Sequence, residues 1–186
     1  PIGPLHGVPV GVKDIFDTEY LPTENGTVLD AGRTPVKDST AVRLLKTAGA
    51  VVMGKTVTTE MAAYSPGKTC NPHDPARTPG GSSSGSAAAV ASGMVPLAIG
   101  SQTKGSVIRP ASFCGVVGFK PTHGMISRAG VFMQSRELDH VGVFARSLED
   151  AALLSECLMG YDVADPDTRP SAVLRLTETV LQEPPV

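Results

Sequence analysis

Residues 79–122 constrain this chain more than any other stretch. Two glycine-serine segments, residues 80–86 and 100–106, bracket a run of small residues (87–93) and a short apolar run (95–99). The order reads as loop, tightly packed helix, strand, loop. Glycine lets backbone N–H groups converge where a Cβ would intrude. Convergent N–H groups beside a serine hydroxyl suit acyl transfer, because negative charge develops on the carbonyl oxygen in the transition state.

The flanking sequence alternates strand and helix signals. Residues 5–12 read as a short strand ending at Lys13. Asp38-Ser39 caps a helical pattern that closes at Gly49, and residues 50–53 read as a buried strand. Residues 20–35 and 65–78 are loop-like. Further on, residues 116–119 continue the core, and Met125, Phe132 and Met133 sit in a loop as pocket-lining or packing residues. Residues 138–144 read as a strand, and Ser147-Leu148-Glu149-Asp150 starts a helix through Met159. Leu148, Ala151, Ala152, Ser155 and Leu158 fall on one face of it. From Tyr161 the chain is polar and proline-containing, and its last residues are read as poorly ordered. This alternation predicts an α/β architecture.

Two motifs fit patterns whose context is wrong. Residues 49–56 match GxxxxGK[ST], but Ala50, Val51, Val52 and Met53 between the glycines favour a strand over a phosphate cradle. Gly81-Ser82-Ser83-Ser84-Gly85 matches the GxSxG elbow with Ser83 as nucleophile, yet Pro75 and Pro79 argue against the preceding strand that an elbow needs. Its acid and histidine would be Asp139 and His140, whose adjacent side chains diverge.

A net charge of −2 supplies no basic field for nucleic acid or anionic membrane. No apolar run approaches the roughly 18 residues that a spanning helix needs. Cys70, Cys114 and Cys157 are odd in number and widely spaced, which suits small buried thiols in a cytoplasmic chain. Neither they nor His6, His73, His123 and His140 have zinc-ligand spacing.

Four pieces in order strongly resemble the amidase signature family of serine hydrolases. They are residues 7–14 (Gly-Val-Pro-Val-Gly-Val-Lys-Asp), 80–86, 100–106, and Phe113-Cys114-Gly115 with residues 118–122 (Gly-Phe-Lys-Pro-Thr). The resemblance reaches about Thr168. It implies a mixed β-sheet core covered by helices on both faces. It also makes Gly54-Lys55-Thr56 the turn out of the strand at residues 50–53, with Thr58-Thr59-Glu60 opening a helix that includes Met61, Ala62 and Ala63. Family members are much longer, so residues 1–186 are read as one domain truncated at both ends, with its core at 5–160.

The resemblance also implies a Ser-Ser-Lys triad. Ser106 is the nucleophile, Ser82 the bridging serine behind a cis peptide, and Lys13 a buried base. Backbone N–H groups of Thr103, Lys104, Gly105 and Ser106 form the oxyanion hole. By itself a lysine at a strand end is a surface residue; burial would favour the neutral amine a base requires. Gln102 replaces a frequent aspartate, and Lys104 a frequent glycine, where a positive φ would be costly. Arg109 reads either as an anchor for a substrate carboxylate or as a structural cation bonded to loop carbonyls.

The activity so implied is cleavage of a carboxamide C–N bond through an acyl-enzyme, without metal or organic cofactor. The expected partner is a small-molecule amide, with no direct nucleic-acid or membrane binding; a homodimer is compatible with the resemblance. A glutamine-using amidotransferase subunit shares the signature, and a non-catalytic scaffold of the same fold is the third class.

Overall fold

The computed structural model describes residues 2–172 and 174–183. Its strands are β1 (Pro9–Lys13), β2 (Val51–Thr56), β3 (Leu97–Gln102), β4 (Val117–Phe119) and β5 (His140–Ala145). They form one mixed sheet in the order β2-β1-β3-β5-β4. β1 runs parallel to both β2 and β3, while β5 is antiparallel to β3 and β4. Parallel neighbours need crossover connections. Helix α1 (Thr40–Thr47) lies in the first crossover and α2 (Ser84–Ala91) in the second. Helices α3 (Ile108–Cys114), α4 (Leu148–Leu158) and the short α5 (Leu176–Thr179) follow.

Period-two alternation sends side chains to two cores. Val10, Val12, Leu97, Ile99, Val141 and Val143 pack with Ala41, Val42 and Leu45 of α1 and with Leu154 and Leu158 of α4. On the opposite face Ala98 and Phe144 pack with Ala87 and Val90 of α2 and Ala111 and Cys114 of α3. The sheet is therefore covered on both faces. Small residues let α2 approach closely: a Cβ on Gly85 would lie 2.3 Å from the Val57 nitrogen.

Several local expectations change once the fold is assembled. β2 is an edge strand, not a buried one, and Val51 and Met53 are exposed. Gly54, Lys55 and Thr56 continue this strand, because they pair with Gly11, Val12 and Lys13. Gly100, Ser101 and Gln102 likewise belong to β3, since β5 supplies Gly142, Val141 and His140 as partners. Residues 60–62 form only a 3₁₀ turn, with Met61 and Ala62 at φ of 47° and 55°. Tertiary hydrogen bonds replace the helix there: Met61 N donates to Asn25 O, and Gln134 Nε2 donates to Met61 O.

Arg109 and Pro110 lie inside α3, with proline in the first turn, where its missing N–H leaves no helical bond unmade. Leu148 is exposed rather than core-facing, and Leu154 fills the buried face of α4 instead. Ser147 Oγ accepts from Asp150 N, capping that helix. Cys70 is exposed, Cys157 half-buried and Cys114 buried; all three are free thiols.

The segment after Tyr161 is more built than its composition suggests. Asp165 and Thr168 are buried, and Asp162 accepts from the hydroxyls of Thr40 and Ser127. The expectation of disorder at the very end falls partly on residues 184–186, which lie outside the described residues. Among the described residues no helix is long and apolar enough to cross a membrane.

Candidate active site

Lys13 ends β1, between β2 and β3, and is 0% exposed. Its Nζ donates to Ser82 Oγ at 2.7 Å and to Ser101 Oγ at 2.8 Å. Both partners are neutral hydroxyls, and no carboxylate forms an ion pair with Lys13 among the described residues. Burial pulls its pKa from the ordinary 10.5 down to about 7, and the negative charge of Asp139 opposes the fall. An amine in that position exchanges a proton near neutral pH.

Ser82 is 2% exposed and follows a cis Gly81–Ser82 peptide. The serines after it stitch the start of α2 to the sheet. Ser83 Oγ donates to Ser101 O at 3.1 Å, Ser84 Oγ to Val57 O at 3.2 Å, and Ser86 Oγ to Ile99 O at 2.9 Å. Ser83 is fully buried, which a nucleophile awaiting substrate cannot be, and no strand precedes it. The GxSxG match is thus a packing motif.

Ser106 stands between β3 and α3. Its carbonyl accepts from Ser83 N at 3.3 Å, tying the two glycine-serine segments together. The Gln102 side chain holds this corner: its Oε1 accepts from Val107 N at 2.9 Å and Ile108 N at 3.0 Å. The backbone N–H groups of Thr103, Lys104, Gly105 and Ser106 donate to no protein acceptor among the described residues. Lys104 is not at positive φ, so no left-handed strain attends the lysine. The half-buried Ser106 opens on a cavity of about 200 Å³ that Thr103, Lys104 and Arg109 also line. Its hydroxyl makes no hydrogen bond to Ser82 among the described residues; Lys13 bonds to Ser82 directly, whereas Ser106 is tied through its carbonyl to Ser83, the next residue along.

Arg109 is exposed, and its guanidinium makes no hydrogen bond or ion pair among the described residues. The expected bonds to loop carbonyls are not made. Instead the side chain lies across Gly105, where an added Cβ would sit 2.9 Å from Nη2. Phe132 and Met133 line a second, small cavity beside Ser101, Thr103 and Asp139, and Met125 does not. Among the described residues no group of three or more His, Cys, Asp or Glu is arranged to hold a metal ion.

Sequence reasoning missed two participants. Ser101 follows Leu97 and Ile99 in the alternating row of β3, a polar residue at the end of an apolar row, and this was its only local signal. Asp139 is nearly buried and hydrogen-bonded to Thr103, although its sequence neighbourhood suggests only a partner for His140.

Comparison with known proteins gives a consistent picture. The family model described as Amidase matches residues 1–184. A glutamyl-tRNA(Gln) amidotransferase subunit from Gloeothece citriformis is 47% identical over 170 residues, covering 88% of this chain and 35% of the relative. The chain thus spans about a third of the length of the curated relatives it matches. Among solved structures, the corresponding glutamyl-tRNA(Gln) amidotransferase subunit from Thermotoga maritima superposes with a TM-score of 0.88 at 42% identity, covering 92% of this chain and 39% of that one. Native peptide amidase from Stenotrophomonas maltophilia gives 0.89 at 39% identity, covering 95% of this chain and 39% of that one.

Proposed function

Since this chain belongs to the amidase signature family, we propose that the protein containing it hydrolyses a carboxamide through a covalent acyl-enzyme on Ser106. The observation that carries the reading is the fully buried Lys13 amine, 2.7 Å from Ser82 Oγ and without a contacting carboxylate among the described residues. A lysine so placed is neutral for much of its time near pH 7, and a neutral amine is a base.

The proposed steps start from the Lys13–Ser82 contact. The Ser106 hydroxyl passes its proton to Ser82 as Ser82 passes its own to Lys13. Ser106 Oγ bonds to the amide carbon, and the unused N–H groups of residues 103–106 receive the oxyanion. The C–N bond breaks as the relay returns a proton to the leaving nitrogen, and ammonia or an amine departs. Water, deprotonated by the same relay, then cleaves the ester. Lys104 and Arg109, both cationic and lining the cavity beside Ser106, favour an acyl group bearing negative charge.

A second reading rests on the relatives' name. An amidotransferase subunit would use the same steps on glutamine and hand ammonia to a partner protein. Glutaminase activity that requires added partner proteins would select it.

The test is covalent labelling of the full-length protein with a fluorophosphonate, mapped by peptide mass spectrometry. Label on Ser106 that disappears in Lys13→Ala is the expected result, with turnover falling by about 10²–10⁴. Undiminished turnover in that variant, or label on Ser83, overturns the assignment.

A further inference from the structure

Asp139 immediately precedes β5 and makes no hydrogen bond or ion pair with Lys13 or Ser106 among the described residues. It lines one small cavity with Ser101, whose Oγ accepts from Lys13 Nζ at 2.8 Å, and its own hydrogen bonds converge on the site. It is 9% exposed. Oδ1 accepts from Thr103 Oγ1 at 2.5 Å, while Oδ2 accepts from Gln134 N at 2.7 Å and Ser135 N at 2.9 Å. One carboxylate thereby joins the first residue of the Thr103-to-Ser106 segment to the turn at residues 134–135. That turn is anchored in its own right, because Gln134 Nε2 donates to Met61 O at 2.8 Å. On the far side, Arg128 Nη1 donates to the Asp139 carbonyl at 3.3 Å.

The elements around Lys13 are poor in other charge. β2 contributes Lys55, which Asp14 neutralises at 3.4 Å. β3 and α2 contain no charged residue. β5 contributes His140, whose ring packs edge-on against His123 and whose Nδ1 bonds to Leu138 O. Arg128 is occupied by Asp165 and Asp167, and Lys104 and Arg109 are exposed to solvent.

We propose that Asp139 is a positioning residue for the reaction assigned above, with two separable roles. Its carboxylate holds the Thr103 end of the candidate oxyanion segment in place, and its negative charge acts on Lys13 through space. The inference rests on the Ser-Ser-Lys reading. Each role follows from elementary physics. A hydroxyl held by an ionised acceptor makes a short, strong bond, and a shift of about 1 Å in a reacting group costs about 10²-fold in rate. A negative charge near a buried amine favours the ammonium, so Lys13 is a stronger base, but one populated as free base at higher pH, than burial alone would make it.

Two substitutions separate the roles. Asp139→Asn keeps the shape: its amide oxygen accepts from the two backbone N–H groups, and its amide nitrogen donates to Thr103 Oγ1. Only the charge is lost. Thr103→Val keeps the charge and removes the bond. The measurement is kcat/KM against pH for the full-length enzyme on its best carboxamide, with rates expressed per fluorophosphonate-titrated site so that unfolded protein is not counted.

Wild type should show an acidic limb near pH 7, reflecting the ionisation of Lys13. In Asp139→Asn that limb should move to lower pH with little change in the plateau. In Thr103→Val the limb should stay and the plateau should fall about 10-fold or more. His140→Gln should leave the limb in place, which separates Lys13 from the nearby imidazole.

An unmoved limb in Asp139→Asn overturns the electrostatic role. A full plateau in Thr103→Val overturns the clamp. Failure of the underlying reading looks different. A wild type without a limb near neutrality, or a Lys13→Ala enzyme with normal turnover, removes Lys13 as the base and the electrostatic role with it.

Discussion

Lys13 and Arg128 are both withdrawn from solvent, at 0% and 5% exposure, yet their surroundings have opposite consequences. Lys13 touches two neutral hydroxyls. Arg128 donates to the carboxylates of Asp165 and Asp167 and to the carbonyls of Arg136 and Asp139. Burial acts in the same direction on both by disfavouring the charged form. For Lys13 no contacting charge among the described residues offsets it, and the pKa drops to about 7. For Arg128 burial lowers the pKa, but the bonds from Asp165 and Asp167 outweigh it and the guanidinium is held above its ordinary value. Desolvation is common to the two; a contacting counter-ion decides whether a buried cation becomes a base or a fastener. Arg128 fastens residues 162–168 to the loop beside the site, and Lys13 is left chemically available.

The largest break of this contrast is Arg128→Met. It leaves Asp165 buried without its cation and should cost about 3–5 kcal/mol in stability, read by denaturant unfolding of the full-length protein. A loss under about 1 kcal/mol would mean that the cluster fastens nothing.

Lys13→Met sharpens the other side. The folded pKa of about 7 lies below the ordinary 10.5, so between these values the unfolded chain binds more protons. Stability from this group therefore rises with pH, by about 2 kcal/mol from about pH 7 to about pH 9. The variant lacks that rise, and the wild-type-minus-variant difference should climb over the same range. A flat difference would show that Lys13 stays charged in the fold.

The smallest effect belongs to Arg136→Ala. Its guanidinium meets Asp167 at 3.2 Å but is 59% exposed, where water screens the pair, so its loss should leave the denaturant midpoint nearly unchanged. A cost rivalling that of Arg128→Met would erase the distinction between buried and exposed cations.

The elements were largely legible where local pattern and tertiary environment agree. The α2 run of small residues, the capped start of α4 and the strand ending at Lys13 all carry short-range signals that the fold keeps. Errors gathered where partners decide. The resemblance implies a helix at residues 60–62, but bonds to Asn25 and Gln134 draw them into a left-handed turn. The apolar run of β2 reads as buried, but burial depends on a neighbour, and β2 has one on a single side.

The candidate site divides in the same way. Lys13, Ser82 and Ser106 are visible as motif residues in three separate segments. Asp139 carries no such signal, because its importance lies in Thr103, Gln134 and Ser135, which only the approach of β5 to β3 brings within its reach.

Composition and pattern alone determined the α/β class, the alternation of elements and the kinds of residue available for chemistry, because propensity, periodicity and capping act over a few neighbouring positions. The proton affinity of Lys13, the burial of Ser83 and the convergence of Asp139 on Thr103 were decided by tertiary structure. Each depends on what solvent is removed and which distant dipoles and charges replace it, and that is set only when β1, β3, β5 and α2 have packed together.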